Sequence, residues 1–218
     1  MSTRTASHSA TRPAARAGRS RARKRRLLRR RITLTAGLAL VAIALASLVH
    51  PVDHAVQEIS LPLRHEDIIR QQAAEKRVDP ALIAAVIYTE SHFRDQTSRA
   101  GAKGLMQLMP STADYIARKS GGTKFERADL ATPQINISYG TWYLRYLLNR
   151  YHGNTVLTLA AHNAGEGKVD QWWREASDRG ERFKVADHIP FPETRNYVHR
   201  VLTARGEYRR TYARELGL

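Results

Sequence analysis

Apolar positions recur three and four residues apart through most of residues 65–218, a spacing that is typical of amphipathic helices. One helix is predicted to begin at Asp79 and Pro80, because aspartate caps a helix amino terminus and proline fits the first turn. The apolar run of this helix ends at Glu90. No segment alternates apolar and polar residues as a half-buried strand would, so the pattern predicts a mainly α domain.

Two further helices are predicted from capping and turn residues. Ser111–Asp114 has the spacing of a capping box, and Gly121 with Gly122 is expected to end the helix that follows. Thr132-Pro133 predicts the start of another helix, which is expected to stop at Gly153. The apolar stripe of that helix is formed by Ile135, Tyr139, Trp142 and Tyr146.

The remaining helices follow from the same signals. Asn154 is predicted to cap the apolar run TVLTLAA, which Gly165 and Gly167 are expected to terminate. A helical segment near residues 168–176 and a last helix from about Glu193 complete the expected set.

The amino-terminal part of the chain differs sharply in composition from the rest. Residues 1–31 hold 12 of the 36 basic residues and none of the 20 acidic ones, which predicts a basic disordered tail. Residues 32–49 carry no charge, and a helix of that length covers about 27 Å, close to the apolar thickness of a bilayer. The sequence therefore predicts a transmembrane helix here, followed by a connector over residues 50–64.

Arginines before an apolar segment favour a cytoplasmic tail and a catalytic or binding domain on the outer side of the plasma (inner) membrane. Two alternatives stay open: cleavage of a signal peptide after the small-x-small site Ala44-Leu45-Ala46, and twin-arginine export. All three interpretations place residues 65–218 beyond the membrane. The chain has no cysteine, so the exported domain depends on its apolar core rather than on disulfides.

Glu90 is the first candidate for chemistry. On a helix from Pro80 it shares a face with Ile83, Val86 and Ile87, which places a carboxyl group at the end of an apolar stripe. Low-polarity surroundings favour the neutral form of a carboxyl group, which can then donate a proton to a leaving oxygen. The competing interpretation is that Glu90 lies at a frayed helix end, exposed to solvent.

The segment after this helix contains glycines and one amide among large apolar residues. Gly101 and Gly104 permit positive φ or a close approach of the backbone to a ligand. Gln107 lies among leucines and methionines, and a buried amide needs hydrogen-bond partners. A ligand with hydroxyl and acetamido groups would supply them.

Five segments occur in a fixed order: ESHF, SRAGAKGLMQLMP, NISYGTWYL, AHNAGEGKV and ETRNYV. In order and near spacing they resemble the motifs of the soluble lytic transglycosylase family, whose catalytic domain is similar to goose-type lysozyme. The resemblance covers about residues 66 to 200. It implies a lysozyme-like helical domain that binds peptidoglycan glycan strands and needs no cofactor.

The resemblance also implies a reaction. Family members break the β-1,4 bond between N-acetylmuramic acid and N-acetylglucosamine without adding water, and leave a 1,6-anhydro ring. Glu90 matches the single catalytic acid of the family, which donates a proton to the glycosidic oxygen and then takes one from the muramyl 6-hydroxyl. Asp95, the nearest second carboxylate in the sequence, is expected to be a solvated turn residue.

Other positions match family residues that line the glycan-binding cleft. These are Ser91, Ser98, Gln107, Met109, His162, Asn163, Glu193 and Tyr197. His162 stands where the family usually has tyrosine, and imidazole changes its charge near pH 6.5, so a sugar-binding role with stronger pH dependence is expected. The interval from Glu90 to Gly101 is one residue shorter than in many relatives, which makes the position of Ser98 the least constrained.

Three alternative functions remain open at this point. A hydrolytic muramidase would use water in place of the 6-hydroxyl, and a non-catalytic protein would bind peptidoglycan without turnover. The basic tail would bind polyanions in a salt-dependent way, but topology and anionic lipids explain its charge more simply than specific nucleic-acid binding. The histidines show no HExxH-type spacing, so a metal site is not expected.

Overall fold

The computed structural model describes residues 60–121 and 124–218. This part of the chain contains eight α-helices, one 3-10 helix and isolated β-bridges in place of a sheet, which confirms the mainly α prediction. The helices are α1 (Glu66–Lys76), α2 (Pro80–Ser91), α3 (Pro110–Ser120), the 3-10 helix (Arg127–Ala131), α4 (Pro133–Arg150), α5 (Thr155–Ala164), α6 (Glu166–Asp178), α7 (Val185–His188) and α8 (Pro192–Thr211).

Two predicted helix caps are confirmed. The Asp79 carboxylate accepts a hydrogen bond from the backbone N–H of Ala81 at 3.0 Å, and Asp79 also forms an ion pair with Arg205 of α8 at 2.6 Å. The Asn154 side chain accepts from the backbone N–H groups of Val156 and Leu157 at 3.0 and 3.2 Å. Both side chains satisfy donors that the first helical turn leaves without partners.

The predicted capping box at Ser111–Asp114 is wrong. Helix α3 begins at Pro110, its N-cap is Met109, and no side chain caps it. The proline fixes the φ angle of a first helical turn, so the helix starts two positions earlier than an N-cap at Ser111 would require. Asp114 forms an ion pair with Arg127 at 2.6 Å instead.

Gly165 and Gly167 have different roles, although both were expected to end the same helix. Gly165 has a φ of 91° and separates α5 from α6. Gly167 lies inside the first turn of α6, so the prediction for it is wrong. Helix α6 includes the predicted segment 168–176 and extends beyond it at both ends.

Helix α2 lies in the centre of the core. Its residues 81–87 are all buried, because α2 packs against α8 as well as α1. A helix that is apolar all round needs neighbours on several sides, and these contacts supply them. The arrangement holds the end of α2, and therefore Glu90, at a fixed place in the fold.

Helix α4 buries a different face from the one that the apolar stripe indicated. Its core positions include Ile137, Gly140, Leu144 and Leu147, while the predicted stripe is only half-buried. Within that stripe the rings of two residues stack with centroids 5.7 Å apart; they are Trp142 and Tyr146. The aromatic stripe therefore lies at the edge of the core.

The predicted transmembrane helix at 32–49, the tail at 1–31 and most of the connector fall outside the described residues. Within the described residues, no helix is both long enough and apolar enough to cross a bilayer. The last part of the predicted connector packs on the helical domain: Leu61 is buried, and its carbonyl accepts a hydrogen bond from the Tyr212 hydroxyl at 2.8 Å.

Candidate active site

Glu90 occupies the last turn of α2, and 18% of its side chain is exposed. The next residue, Ser91, is buried, and its hydroxyl forms hydrogen bonds with the carbonyls of Ile87 at 3.0 Å and Leu105 at 2.8 Å. These two bonds tie the end of α2 to the loop that follows it. The carboxyl group of Glu90 is thus mostly shielded and attached to a rigid element.

His162 of α5 and Tyr197 of α8 lie next to Glu90. The His162 Nδ1 atom lies 3.5 Å from Oε1 of Glu90 and 3.2 Å from the Tyr197 hydroxyl oxygen. Three helices therefore converge at one carboxyl group. Both aromatic side chains are almost fully buried, with 4% of the His162 side chain exposed.

The Tyr197 hydroxyl lies beside the carboxyl group of Glu90. Burial, the charge of Glu90 and a hydrogen bond with its carboxylate raise the pKa of Tyr197, so the phenol keeps its proton. A phenol that keeps its proton remains a hydrogen-bond donor.

The tautomer of His162 follows from its surroundings. Among the described residues, Nε2 of His162 has no hydrogen-bond partner, although it is buried. In the neutral ring we assign the proton to Nδ1, because an N–H group at Nε2 would be a buried donor without an acceptor. Nδ1–H then points toward Tyr197 and Glu90, which extends the hydrogen-bonded group to three side chains.

The loop that carries Ser98, Gln107 and Met109 folds back on itself. The Ser98 hydroxyl accepts from the backbone N–H of Ala102 at 3.0 Å. The Gln107 side chain donates to the carbonyls of Gln96 and Gly104 at 2.9 and 2.8 Å, so its amide NH2 group already has partners within the protein. No side chain or backbone group of the described residues donates a hydrogen bond to the amide oxygen of Gln107.

Asn136 holds this loop in place through hydrogen bonds to its backbone. The sequence did not identify it as a residue of the site. Its amide oxygen accepts from the backbone N–H of Met106 at 2.8 Å, and its NH2 group donates to the carbonyls of Lys103 at 3.0 Å and Leu130 at 2.9 Å. A Cβ atom on Gly104 would lie 2.0 Å from the Asn136 amide nitrogen. Gly104 is therefore required by the approach of Asn136. The signal for Asn136 was weak: one polar residue in the motif NISYG, between two isoleucines.

Glu166 is a second carboxylate that the sequence reasoning did not identify. It accepts hydrogen bonds from the hydroxyls of Tyr143 at 3.3 Å and Tyr146 at 3.0 Å, and lies 3.5 Å from Arg150. Burial raises the pKa of Tyr143, and the charge of Glu166 and the hydrogen bond with it raise this pKa further. The Tyr143 ring also packs 5.9 Å from the ring of His162, so this group of side chains adjoins the Glu90 site.

The other predicted positions lie near the same helices without a contact to Glu90. The Asn163 amide oxygen accepts from the Thr194 hydroxyl at 2.8 Å, which joins α5 to the start of α8. Met109 is 40% exposed, and Glu193 lies exposed in the first turn of α8. Asp95 is also exposed. The described residues contain no group of three His, Asp or Glu side chains placed to hold a metal ion.

The fold and the site together define a class: a mainly helical domain in which one shielded carboxyl group ends a central helix and meets an imidazole and a phenol. Comparison with known families assigns this class. The model of the Transglycosylase SLT domain matches residues 67–184, so the chain belongs to the SLT transglycosylase family, within the lysozyme-like superfamily.

Curated relatives agree with this assignment. The soluble lytic murein transglycosylase of Escherichia coli (strain K12) is 32% identical over 154 residues, which cover 70% of this chain and 24% of that protein. The membrane-bound lytic murein transglycosylase C of Edwardsiella ictaluri is 31% identical over 171 residues, covering 67% of this chain and 47% of that protein. The chain thus spans about a quarter to a half of the length of these relatives.

Solved structures show the same fold. The lytic transglycosylase Slt from Pseudomonas aeruginosa, in an inactive mutant form, has a TM-score of 0.65 and 35% identity, and the match covers 72% of this chain and 26% of that one. The 70 kDa soluble lytic transglycosylase of Escherichia coli has a TM-score of 0.66 and 30% identity, covering 73% and 26%. A 70 kDa soluble lytic transglycosylase in complex with bulgecin A matches with a TM-score of 0.66 and 31% identity, covering 71% and 25%.

Proposed function

We propose that this protein is a peptidoglycan lytic transglycosylase that cleaves the β-1,4 bond between N-acetylmuramic acid and N-acetylglucosamine and leaves 1,6-anhydromuramyl ends. The observation that carries the proposal is the single shielded carboxyl group of Glu90 in contact with His162 and Tyr197. Family membership and the lytic murein transglycosylases among its relatives support the same reaction.

In the first step Glu90 acts as a general acid. Its carboxyl proton moves to the glycosidic oxygen as the bond between that oxygen and C1 of the muramyl sugar breaks, and the bond electrons stay with the leaving sugar. Glu90 becomes a carboxylate at this moment. The Tyr197 hydroxyl is placed to stabilise that new charge by hydrogen bonding.

In the second step the same carboxylate acts as a base. It takes the proton from the muramyl 6-hydroxyl while the 6-oxygen bonds to C1 and closes the anhydro ring. No water is consumed, and Glu90 is again protonated, so one residue completes the cycle.

The surroundings of Glu90 support a mechanism with one carboxylate. Most glycosidases place a second carboxylate about 5–10 Å from the acid, as nucleophile or as base. Among the described residues, Asp95 is exposed in the loop and Glu166 accepts hydrogen bonds from Tyr143 and Tyr146. We assign the exposed carboxylate of Glu193 to glycan binding rather than to proton transfer. We propose that the 2-acetamido group of the substrate stabilises the cationic transition state instead.

We assign glycan binding to the residues that the loop and the start of α8 present around Glu90. Gln107 offers its amide oxygen, Met109 an exposed apolar side chain, and Glu193 an exposed carboxylate. We further assign Ser98 and Asn163 to the cleft, on the strength of their motif positions. Ser91 fixes the loop to α2, and we assign His162 a positioning contact with Glu90 in addition to the sugar contact expected from its motif.

We also propose that residues 32–49 anchor the protein in the plasma membrane, with the basic tail in the cytoplasm and the catalytic domain on the outer or periplasmic side. The support is the uncharged 18-residue segment after a block of arginines. Relatives include proteins named as soluble and as membrane-bound. Cleavage of the segment as a signal peptide would release the domain on the same side.

The test is the substitution Glu90→Gln, which keeps the size of the side chain and removes its acid. Purified sacculi should clear in the presence of the full chain, and Glu90→Gln should lower the clearing rate by at least about a thousandfold, since the sole proton donor is lost. Asp95→Asn is the matched control and should retain activity. Clearing by Glu90→Gln at the wild-type rate would reject the proposal.

A further inference from the structure

Residues 60–62 of the connector are bound to α2 and to the end of α8. Their three consecutive backbone carbonyls accept hydrogen bonds from tyrosine hydroxyls of the helical domain. The bonds run from Tyr88 to Ser60 at 2.9 Å, from Tyr212 to Leu61 at 2.8 Å and from Tyr208 to Pro62 at 2.5 Å. Because the Leu61 side chain is buried as well, this segment belongs to the packed domain and is not a free tether.

The rings of the same tyrosines pack together with Phe93. The centroid of the Tyr208 ring lies 5.8 Å from that of Tyr212, 6.1 Å from that of Tyr88 and 6.2 Å from that of Phe93. We call these four residues the aromatic cage. Each tyrosine of the cage is held at its hydroxyl by a connector carbonyl and at its ring by a neighbouring ring.

The cage lies against an unusual turn of the backbone that begins two residues after Glu90. His92 and Phe93 both have positive φ angles, 52° and 59°. Left-handed backbone is unfavourable for residues with large side chains, and it persists where the surrounding groups hold it in place. The His92 ring lies 4.7 Å from the Tyr88 ring, and Phe93 is only 3% exposed within the cage. The cage therefore holds this turn.

We propose that residues 60–62 are a positioning element for Glu90, an inference that rests on the proposed function. The bound segment fixes the cage, the cage holds the turn at 92–93, and this turn ends the helix whose last turn carries Glu90. When the segment leaves, the Tyr88 hydroxyl loses this acceptor and the turn relaxes toward ordinary backbone angles. Glu90 then moves from its place beside His162, and proton transfer slows.

The kinetic test displaces the segment without changing the cage or the Glu90 site. Leu61→Glu places a charge at a buried position and expels the connector from the domain, while Leu61→Ala removes only part of the buried side chain. With the full chain acting on soluble glycan strands, Leu61→Glu should lower kcat at least about fivefold, the effect of one lost hydrogen bond, and leave KM within about twofold. Leu61→Ala should lower kcat less. The matched control is Leu218→Glu, which adds the same charge at a leucine that is 47% exposed and should change neither constant.

Hydrogen exchange gives a readout that does not depend on activity. The backbone N–H of His92 donates to the Tyr88 carbonyl at 2.9 Å and that of Arg94 to the Ser91 carbonyl at 3.1 Å, so both amides report on the turn. In the Leu61→Glu protein these two amides should exchange at least about tenfold faster, while the amides of α4 keep their wild-type rates. A uniform rise across all helices in both Leu61 variants would mean a loss of global stability and would overturn the proposal.

A double substitution tests the route through Tyr88. Tyr88→Phe removes the hydroxyl that binds the connector and keeps the ring, so alone it should lower kcat about threefold. Added to Leu61→Glu it should have little further effect, because its partner has already left. Additive effects of the two substitutions, or an unchanged kcat in a folded Leu61→Glu protein, would overturn the proposal. Tyr139→Phe, a half-buried tyrosine of α4 outside the cage, is the matched control and should leave kcat unchanged.

The outcome for the connector is distinct from the outcome for the reaction. Faster local exchange in the Leu61→Glu protein, together with an inactive wild type, would reject the proposed function and keep the coupling between connector and turn. A wild type that produces anhydro ends, together with unchanged exchange at His92 and Arg94 in the Leu61→Glu protein, would keep the function and reject the coupling.

Discussion

Replacing Asn136 by alanine removes the amide that holds the loop 103–108 against α4. The substitution leaves the backbone N–H of Met106 and the carbonyl of Leu130 buried without partners, while the carbonyl of Lys103 is partly accessible to water. A buried polar group that loses its partner costs about 1–3 kcal/mol. Two such groups predict a loss of about 2–6 kcal/mol in the free energy of unfolding.

The assay is urea unfolding of the full chain, followed by circular dichroism and repeated by thermal melting. For a domain of this size each 1 kcal/mol corresponds to roughly 2–4 °C, so a loss near 4 kcal/mol lowers the melting temperature by about 8–16 °C. Gln134→Ala, an exposed position on the same helix, should stay within about 0.5 kcal/mol of the wild type.

The activity of Asn136→Ala gives an independent readout. Because the loop carries Gln107 and Met109, its release should reduce cleavage even at temperatures where the protein is folded. A loss of stability below about 1 kcal/mol would refute the reasoning, since it would mean that the three hydrogen bonds of Asn136 are replaced without cost.

Two further predictions concern packing and charge. Gly140→Ala places a Cβ atom 2.3 Å from the Met106 sulfur, so chemical unfolding should show a loss of about 1–3 kcal/mol; unchanged stability would mean that Met106 moves freely. The hydrogen bond from Arg150 lowers the pKa of Asp170 in the folded protein. The stability that this hydrogen bond contributes is therefore present above the unfolded pKa of about 3.9, and it is lost as the pH falls through the lower folded value. The Asp170→Asn protein should therefore lose less of its free energy of unfolding between pH 5 and pH 2 than the wild type does. An equal loss in the two proteins would contradict the assigned hydrogen bond between Arg150 and Asp170.

The structure confirms those boundaries whose cause is local in sequence. Asp79 and Asn154 cap their helices because a cap needs only the next two or three residues. The predicted start of α3 was wrong because two local signals competed. The helix begins at Pro110 and is not capped by the serine that follows it. Local chemistry alone does not rank such signals.

The parts that the sequence could not supply depend on contacts between distant residues. Periodicity showed that Tyr139 and Tyr146 share a face of α4, but only the positions of the other helices leave that face half-buried. Asn136 reaches backbone groups up to 33 residues away, and Glu166 reaches tyrosines 20 and 23 residues away. No pattern in either segment specifies these partners.

Motif order named Glu90, His162 and Tyr197 as residues of one cleft, and their roles there stay a prediction. The structure adds that the three side chains lie next to one another. Motif order did not indicate that the amide NH2 group of Gln107 is bound within its own loop, or that Ser91 fastens that loop to α2. Those roles follow from hydrogen-bond geometry, which becomes visible only in the folded chain.

The most direct test of the central claim is the mass of the sugar ends that the full-length protein generates from purified peptidoglycan. If Glu90 both donates and recovers its proton without water, every new muramyl end should be an anhydro sugar, one water lighter than the hydrolytic product, even when the digestion is run in isotopically labelled water. Muramyl ends of full mass that carry the label would contradict the account and identify a hydrolase.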